Sequence, residues 1–225
     1  ALYFAVVLAT LPANANNTDL GKPGSGWLKS ETLIASAWFG FAVGLAMASK
    51  VNTAPIAILL PAAWLVRWFK FKHEQQQSLI PLIVRDLLVG GVIAFLTFRI
   101  LQPYAFSGPG FFGIIPNPNW ISNLKELAIQ TSGEVDFPPA LQWARQPVTF
   151  SLQNMVIWGL GLPLGIVSWI GFLWLGWRIF KGEWQKPVLM WGWTAVYFIW
   201  QSLQGNPTMR YQLPIYPTLA LMAGW

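Results

Sequence analysis

Residues 32–49 contain no charged side chain, and neither do residues 154–177. A run that is apolar on every side has no polar face to turn to water, so it belongs in a large core or a bilayer. About 20 such residues make a helix that crosses the roughly 30 Å hydrocarbon layer. Inside that layer a helix satisfies its own backbone hydrogen bonds. Shorter apolar runs at 1–13, 51–66, 86–102, 187–204 and 214–225 repeat the pattern. Only 10% of the residues are charged, against roughly 25% in soluble domains. The expected fold is all-α, a polytopic transmembrane helical bundle, with residues 1–225 forming part of one domain. The chain starts and stops inside apolar runs, so it is read as an internal piece of a longer protein, truncated at both ends.

The cations set the expected topology. Arg67, Lys70, Lys72 and Arg85 form the densest basic connection, and Arg178, Lys181 and Lys186 form a second. Cytoplasmic loops carry the excess of Lys and Arg, so both turns are expected inside. Crossings counted from them put the connection at 14–30, with Lys22 and Lys29, on the same side. The Asn16-Asn17-Thr18 glycosylation sequon in it is discounted for that reason. The long loop at about 103–153 is then extracytoplasmic, as are the tight turns around Lys50 and Arg210.

Within the spans, Gly40 and Gly44 make a GxxxG that lets another helix approach closely. It is read as tight packing. The runs at 32–49 and 51–66 form a helical hairpin with Lys50-Val-Asn52-Thr53 at its tip. The long loop holds one further helix. Asn117 caps it and Pro118 takes its first position, while Gly133 ends it. Trp120, Leu124, Leu127 and Ala128 share one face, with Ser122, Asn123, Lys125 and Glu126 on the other. This short amphipathic helix either lies on the membrane surface or packs on its own domain.

Several chemistries are excluded. The chain has no cysteine, which removes disulfides, thiolate nucleophiles and Cys-based metal sites. The one histidine, His73, sits in a Lys-rich turn and reads as a solvated loop residue rather than a ligand. The net charge is +6, yet the cations flank apolar spans and form no continuous basic face, so nucleic acid is not an expected partner. No phosphate-binding glycine loop, Ser–His–Asp set or HExxH is present. The glycines of Gly159-Leu-Gly161 and Gly108-Pro-Gly110 are turn and packing glycines. No metal site is assigned.

Three cations break the positive-inside pattern. Lys50, Arg99 and Arg210 each lie at or just inside the outer end of a span. Ionisable groups there are costly unless paired or wet, which makes them functional candidates. Each alone can snorkel to headgroups or pair with a loop carboxylate. Three at one level fit an anion such as the phosphate of a lipid carrier, which Arg grips as a fork and Lys as a point charge. Glu134 and Asp136 are the close acidic pair of the outer side. They are weak catalytic candidates as a general base or for a divalent cation. They read equally as a solvated turn, or as partners of Lys125 or Arg145.

Four segments carry a resemblance. Gly40-Phe-Ala-Val-Gly44-Leu-Ala-Met-Ala-Ser-Lys50-Val, followed by a Pro-containing helix and a basic turn, resembles membrane glycosyltransferases of the GT-C type. Within them it is similar to the phospholipid-carrier-dependent, protein-mannosyltransferase-like family. Asn206-Pro-Thr-Met-Arg210-Tyr211-Gln-Leu-Pro214-Ile-Tyr-Pro217 resembles that family's Arg-Tyr-x-x-Pro-x-x-Pro segment. Tyr104-Ala-Phe-Ser-Gly-Pro-Gly110 and Ser132-Gly-Glu-Val-Asp-Phe-Pro-Pro139 resemble the outer loop of bacterial members.

The resemblance implies transfer of a sugar from a polyprenyl-phosphate carrier to an acceptor on the outer face of a bacterial plasma membrane. Lys50 and Arg210 would contact the carrier phosphate or donor, with Tyr211 beside them. Arg99 rests on topology alone. The family's catalytic acid lies in the first outer loop, so here it is expected upstream of Ala1, and this piece alone is expected to be inactive. The donor is the expected bound substrate, membrane lipids are the expected partners, and a divalent metal is left open. Two rivals stand beside this reading. A transporter or flippase predicts ionisable residues at mid-membrane and repeated halves with broken helices; no charge at the centre of a span and no repeat is read here. A non-catalytic membrane subunit would use the outer loop for docking.

Overall fold

The computed structural model describes residues 1–12, 30–71, 73–108, 113–132, 138, 146–147 and 149–225. These residues are overwhelmingly helical, as expected, and they divide into two compact units, Ala1–Pro103 and Tyr104–Trp225. Four helices are long and apolar enough to cross a membrane: Glu31–Ser49, Val51–Trp68, Leu79–Leu101 and Leu162–Phe180. The protein is an all-α membrane protein. The sequon at 16–18, Lys22, Lys29, Lys72 and Gly133 lie outside the described residues.

The first unit holds α1 (Leu2–Thr10), α2 (Glu31–Ser49), a 3-10 segment (Val51–Ile58) running into α3 (Leu59–Trp68), and α4 (His73–Leu101). Pro55 explains the 3-10 start of the returning arm, because it has no N–H to donate. Thr53 Oγ1 donates to the Lys50 carbonyl at 2.8 Å and closes the hairpin tip.

The small residues of α2 serve α4. A Cβ placed on Gly40 would stand 2.1 Å from the Gly90 carbonyl oxygen, and one on Gly44 would stand 2.5 Å from Thr97 Cβ. The GxxxG is thus a helix-contact surface inside the unit. In lipid, close van der Waals packing of this kind replaces the hydrophobic effect as the force between helices. The contacts pair residue 40 with 90 and 44 with 94–97, so α2 and α4 run in the same direction. The opposite face of α4 exposes Ile80, Val84, Leu88, Val92, Leu96 and Ile100 at four-residue spacing. An apolar stripe of that kind has no polar surface to turn to water.

Two expectations are corrected here. The basic connection does not extend to Arg85, and the fourth helix does not begin at Asp86. It is one helix from His73, with Pro81 inside it. Leu79, Ile80, Leu82, Ile83 and Val84 already belong to the apolar run, so Arg85 and Asp86 sit inside the candidate span. They lie about 10 Å from its start at a 1.5 Å rise per residue.

The second unit opens with a short antiparallel pairing, β1 (Phe106–Ser107) with β2 (Ile115–Pro116), which the sequence does not announce. The amphipathic helix follows as α5 (Pro118–Ser132). Its cap forms as expected: the Asn119 N–H donates to Asn117 Oδ1 at 3.0 Å. The Asn117 amide also donates to the Tyr104 carbonyl at 2.9 Å, fastening the helix start to the strand pair.

The run expected as one span at 154–177 is broken. A short helix α6 (Phe150–Asn154) passes into a π turn (Met155–Gly159), and α7 (Leu162–Phe180) starts afresh. Gly161 makes the break with φ +77, and Pro163 suits the first turn of the new helix. α8 (Val188–Ser202), a 3-10 segment (Met209–Ile215) and α9 (Tyr216–Ala223) complete the unit.

Gly171 lets α7 meet the backbone of α9, where an added Cβ would stand 2.2 Å from the Met222 carbonyl oxygen. Trp191 donates its indole N–H to the Phe172 carbonyl at 2.9 Å and ties α8 to α7. The hydroxyls of Thr194 and Thr218, 2.7 Å apart, join α8 to α9. At 15 residues α8 is shorter than the four spanning candidates.

Candidate functional site

Lys50 ends α2, and Arg99 lies in the last turn of α4. Because α2 and α4 run in the same direction in matched register, both cations fall at the same end of the first unit. Each keeps part of its surface exposed.

Arg210 and Tyr211 belong to the second unit, in the 3-10 segment between α8 and α9. The segment is pinned from beneath. Gln212 is almost wholly buried, and its amide donates to Ser202 Oγ at 3.2 Å. Ser151, also buried, donates to the Pro207 carbonyl at 3.4 Å. The Tyr211 N–H donates to the Thr208 carbonyl at 3.0 Å. The two prolines of the motif have separate uses: Pro214 sits in the 3-10 segment, and Pro217 in the first turn of α9, where a missing N–H costs nothing.

The result is a fixed turn with an exposed arginine. The Arg210 guanidinium carbon lies 5.6 Å from the centre of the Tyr211 ring, a cation–π arrangement that orients the guanidinium. Among the described residues no carboxylate lies within ion-pair distance of Arg210. Its planar fork is open to an oxyanion.

Glu134 and Asp136 lie outside the described residues. Among the described residues no three His, Asp or Glu side chains come together as a metal site.

The structure also assembles a polar cluster that sequence reasoning missed, at the end of the first unit opposite Lys50 and Arg99. Arg67 is wholly buried at the end of α3. It donates to the carbonyls of Leu11 at 2.6 Å, Pro12 at 3.0 Å and Leu8 at 3.3 Å. These carbonyls end α1, which leaves them without helical partners, and a cation there also meets the negative end of the helix dipole. Lys70 adds a bond to the Ala9 carbonyl. On α4, Arg85 pairs with the buried Asp86 at 2.7 Å and reaches Ser30 Oγ at 3.2 Å and Thr32 Oγ1 at 3.4 Å. The arginines expected in the basic connection thus hold the end of α1 and the start of α2. One sequence signal was available: apolar residues stand on both sides of Arg85-Asp86, so the pair interrupts a span rather than preceding one.

No protein-family profile, no curated protein and no solved structure matches this chain.

Proposed function

We propose that this chain is part of a glycosyltransferase that moves a sugar from a polyprenyl-phosphate carrier to an acceptor at the outer membrane surface. The observation that carries the reading is Arg210: exposed, braced by Tyr211, and fixed by buried contacts beneath. A leaving group that departs as a lipid phosphate needs such a cation, because negative charge grows on its oxygen as the sugar bond breaks. Within the first unit, Lys50 and Arg99 stand at one end and are the other cations the reading draws on. Both basic turns then face the cytoplasm, in line with the Lys and Arg bias.

The reaction proceeds by nucleophilic substitution. A carboxylate takes the proton of the acceptor hydroxyl, with Glu134 and Asp136 as the weak candidates within this chain. The acceptor oxygen attacks the anomeric carbon, and the bond from that carbon to the phosphate oxygen breaks. The polyprenyl phosphate departs with the bonding pair. Interactions that strengthen only as this charge develops raise turnover rather than substrate binding.

A transporter reading draws on the buried Arg85–Asp86 pair inside a span. That pair is already engaged in holding Ser30 and Thr32 of the α2 start, which favours the transferase reading.

The test is Arg210→Ala in the intact protein, followed by transfer from a polyprenyl-phosphate sugar and by protein level. Loss of one oxyanion-stabilising group costs about a hundredfold in turnover, with the amount of folded protein unchanged. Equal loss of turnover and protein would make Arg210 structural and remove the proposal's main support.

A further inference from the structure

α5 (Pro118–Ser132) takes no part in the chemistry proposed above, yet its sequence is two-sided. At about 100° per residue, Trp120, Ile121, Leu124, Leu127 and Ala128 fall within about 120° of its circumference. A stripe of that width is what a helix lays against an apolar surface. Ser122, Glu126 and Gln130 lie opposite, where the Gln130 amide donates to Glu126 Oε1 at 3.1 Å. Of the larger apolar residues only Ile129 stands off the stripe.

The stripe is not covered. Ile121, Leu127 and Ala128 are exposed, Leu127 at 56%, and Trp120 and Leu124 keep part of their surface. No residue of α5 whose side chain is described is buried. α2, packed on α4, buries Leu33, Phe39 and Val43. A helix of this length standing alone in water is marginal, because most helical stability comes from covering an amphipathic face. The stripe therefore needs a surface.

The chain brings one within reach. α4 ends a candidate span at Leu101. Only Gln102 and Pro103 separate Leu101 from Tyr104, so the chain carries Tyr104 at most about 11 Å from that span end. The Asn117 amide donates to the Tyr104 carbonyl at 2.9 Å, and the Asn117 N–H to the Ala105 carbonyl at 3.0 Å. The start of α5 is thereby tied by hydrogen bonds to the place where the chain leaves the span. The headgroup layer is about 5–8 Å deep on each side of a bilayer. An interfacial helix sinks its apolar face about 5–10 Å into the boundary of headgroups and acyl chains. Tyr104 and Trp120 are of the aromatic types that gather at that level. The charges of Lys125 and Glu126 cancel, so the attraction is apolar rather than electrostatic.

We infer that α5 lies in the headgroup layer of the membrane, with the stripe of Trp120, Ile121, Leu124 and Leu127 against the acyl chains and Ser122, Glu126 and Gln130 toward water. The partner is the lipid surface itself, on whichever side α4 ends. The inference is independent of Arg210 and of sugar transfer.

The experiment places the intact protein in phosphatidylcholine vesicles with one nitroxide-labelled cysteine at a time. Ile121→Cys and Leu124→Cys report the stripe, and Ser122→Cys and Glu126→Cys report the other face. This chain has no cysteine of its own to compete for the label. Stripe labels are expected to collide mainly with oxygen, which concentrates in lipid, and polar-face labels mainly with a water-soluble nickel chelate. Adding Leu124→Gln and Leu127→Gln to the Ile121→Cys variant is expected to weaken insertion roughly tenfold or more per leucine, turning that label toward nickel. Nickel reaching both faces alike would leave α5 in water and overturn the inference. Exclusion of both reagents from the stripe would mean that a protein surface covers it, and would overturn the lipid occupant.

Discussion

Lys50 and Arg67 bound the same arm of one hairpin, and they meet opposite fates. Arg67 is wholly buried and gives three hydrogen bonds to the carbonyls that end α1. Lys50 stays partly exposed at the tip, where its own carbonyl accepts from Thr53. In the sequence they are alike: each is a cation that stops an apolar run. What separates them is burial and the groups that meet Arg67. The end of α1 offers carbonyls that need donors, and a guanidinium with a planar set of N–H groups can serve several at once. A cation at a span end is therefore a cap or a ligand group according to what a neighbouring helix leaves unsatisfied there.

The largest effect should come from breaking the capped side. Arg67→Ala leaves three carbonyls without their donor, at about 1–3 kcal/mol for each that stays buried and unsatisfied. Thermal unfolding in detergent and the yield of folded protein would both fall. A melting temperature near the parent's would mean that the carbonyls find water, and that Arg67 and Lys50 differ less than their burial implies.

The next effect tests what holds both ends in register. Gly40→Val sets a side chain against the Gly90 carbonyl, which stands 2.1 Å from the Cβ position. Overpacking of this kind costs about 3 kcal/mol. Gly91→Ala is its partner experiment: nothing lies within 4 Å of that Cβ, so stability should hold or rise slightly as helix propensity improves. If both substitutions destabilise equally, α2 and α4 are not packed through Gly40, and the shared end of Lys50 and Arg99 loses its basis.

Much of the architecture is legible in the amino-acid sequence, wherever it depends on local chemistry. Long apolar runs mark the spanning helices, Gly40 and Gly44 mark the close contact, and Asn117-Pro118 marks the start of α5. The break at Gly161 is visible only as a glycine. Whether a glycine turns the chain or merely packs depends on its φ, which neighbours decide. The buried cluster of Arg67, Arg85 and Asp86 is not legible, since its cost is met by carbonyls and hydroxyls about 55 residues or more away in sequence. The candidate site divides in the same way. The Arg210-Tyr211 motif stands out as a string, but its bracing by Gln212 and Ser151 is a tertiary fact.

The smallest effect on stability should fall on Lys50, and that is what makes it informative. Lys50→Gln removes a partly exposed charge while keeping a polar side chain of similar reach, and such changes usually stay within about 0.5 kcal/mol. If Lys50 serves a phosphate, turnover with a polyprenyl-phosphate sugar falls while the melting temperature stays. Lys50→Arg then restores part of the turnover, because the charge returns in another shape. If the melting temperature falls as it does for Arg67→Ala, Lys50 is a second cap. The hairpin would then be fastened at both ends, and Lys50 would drop out of the phosphate reading.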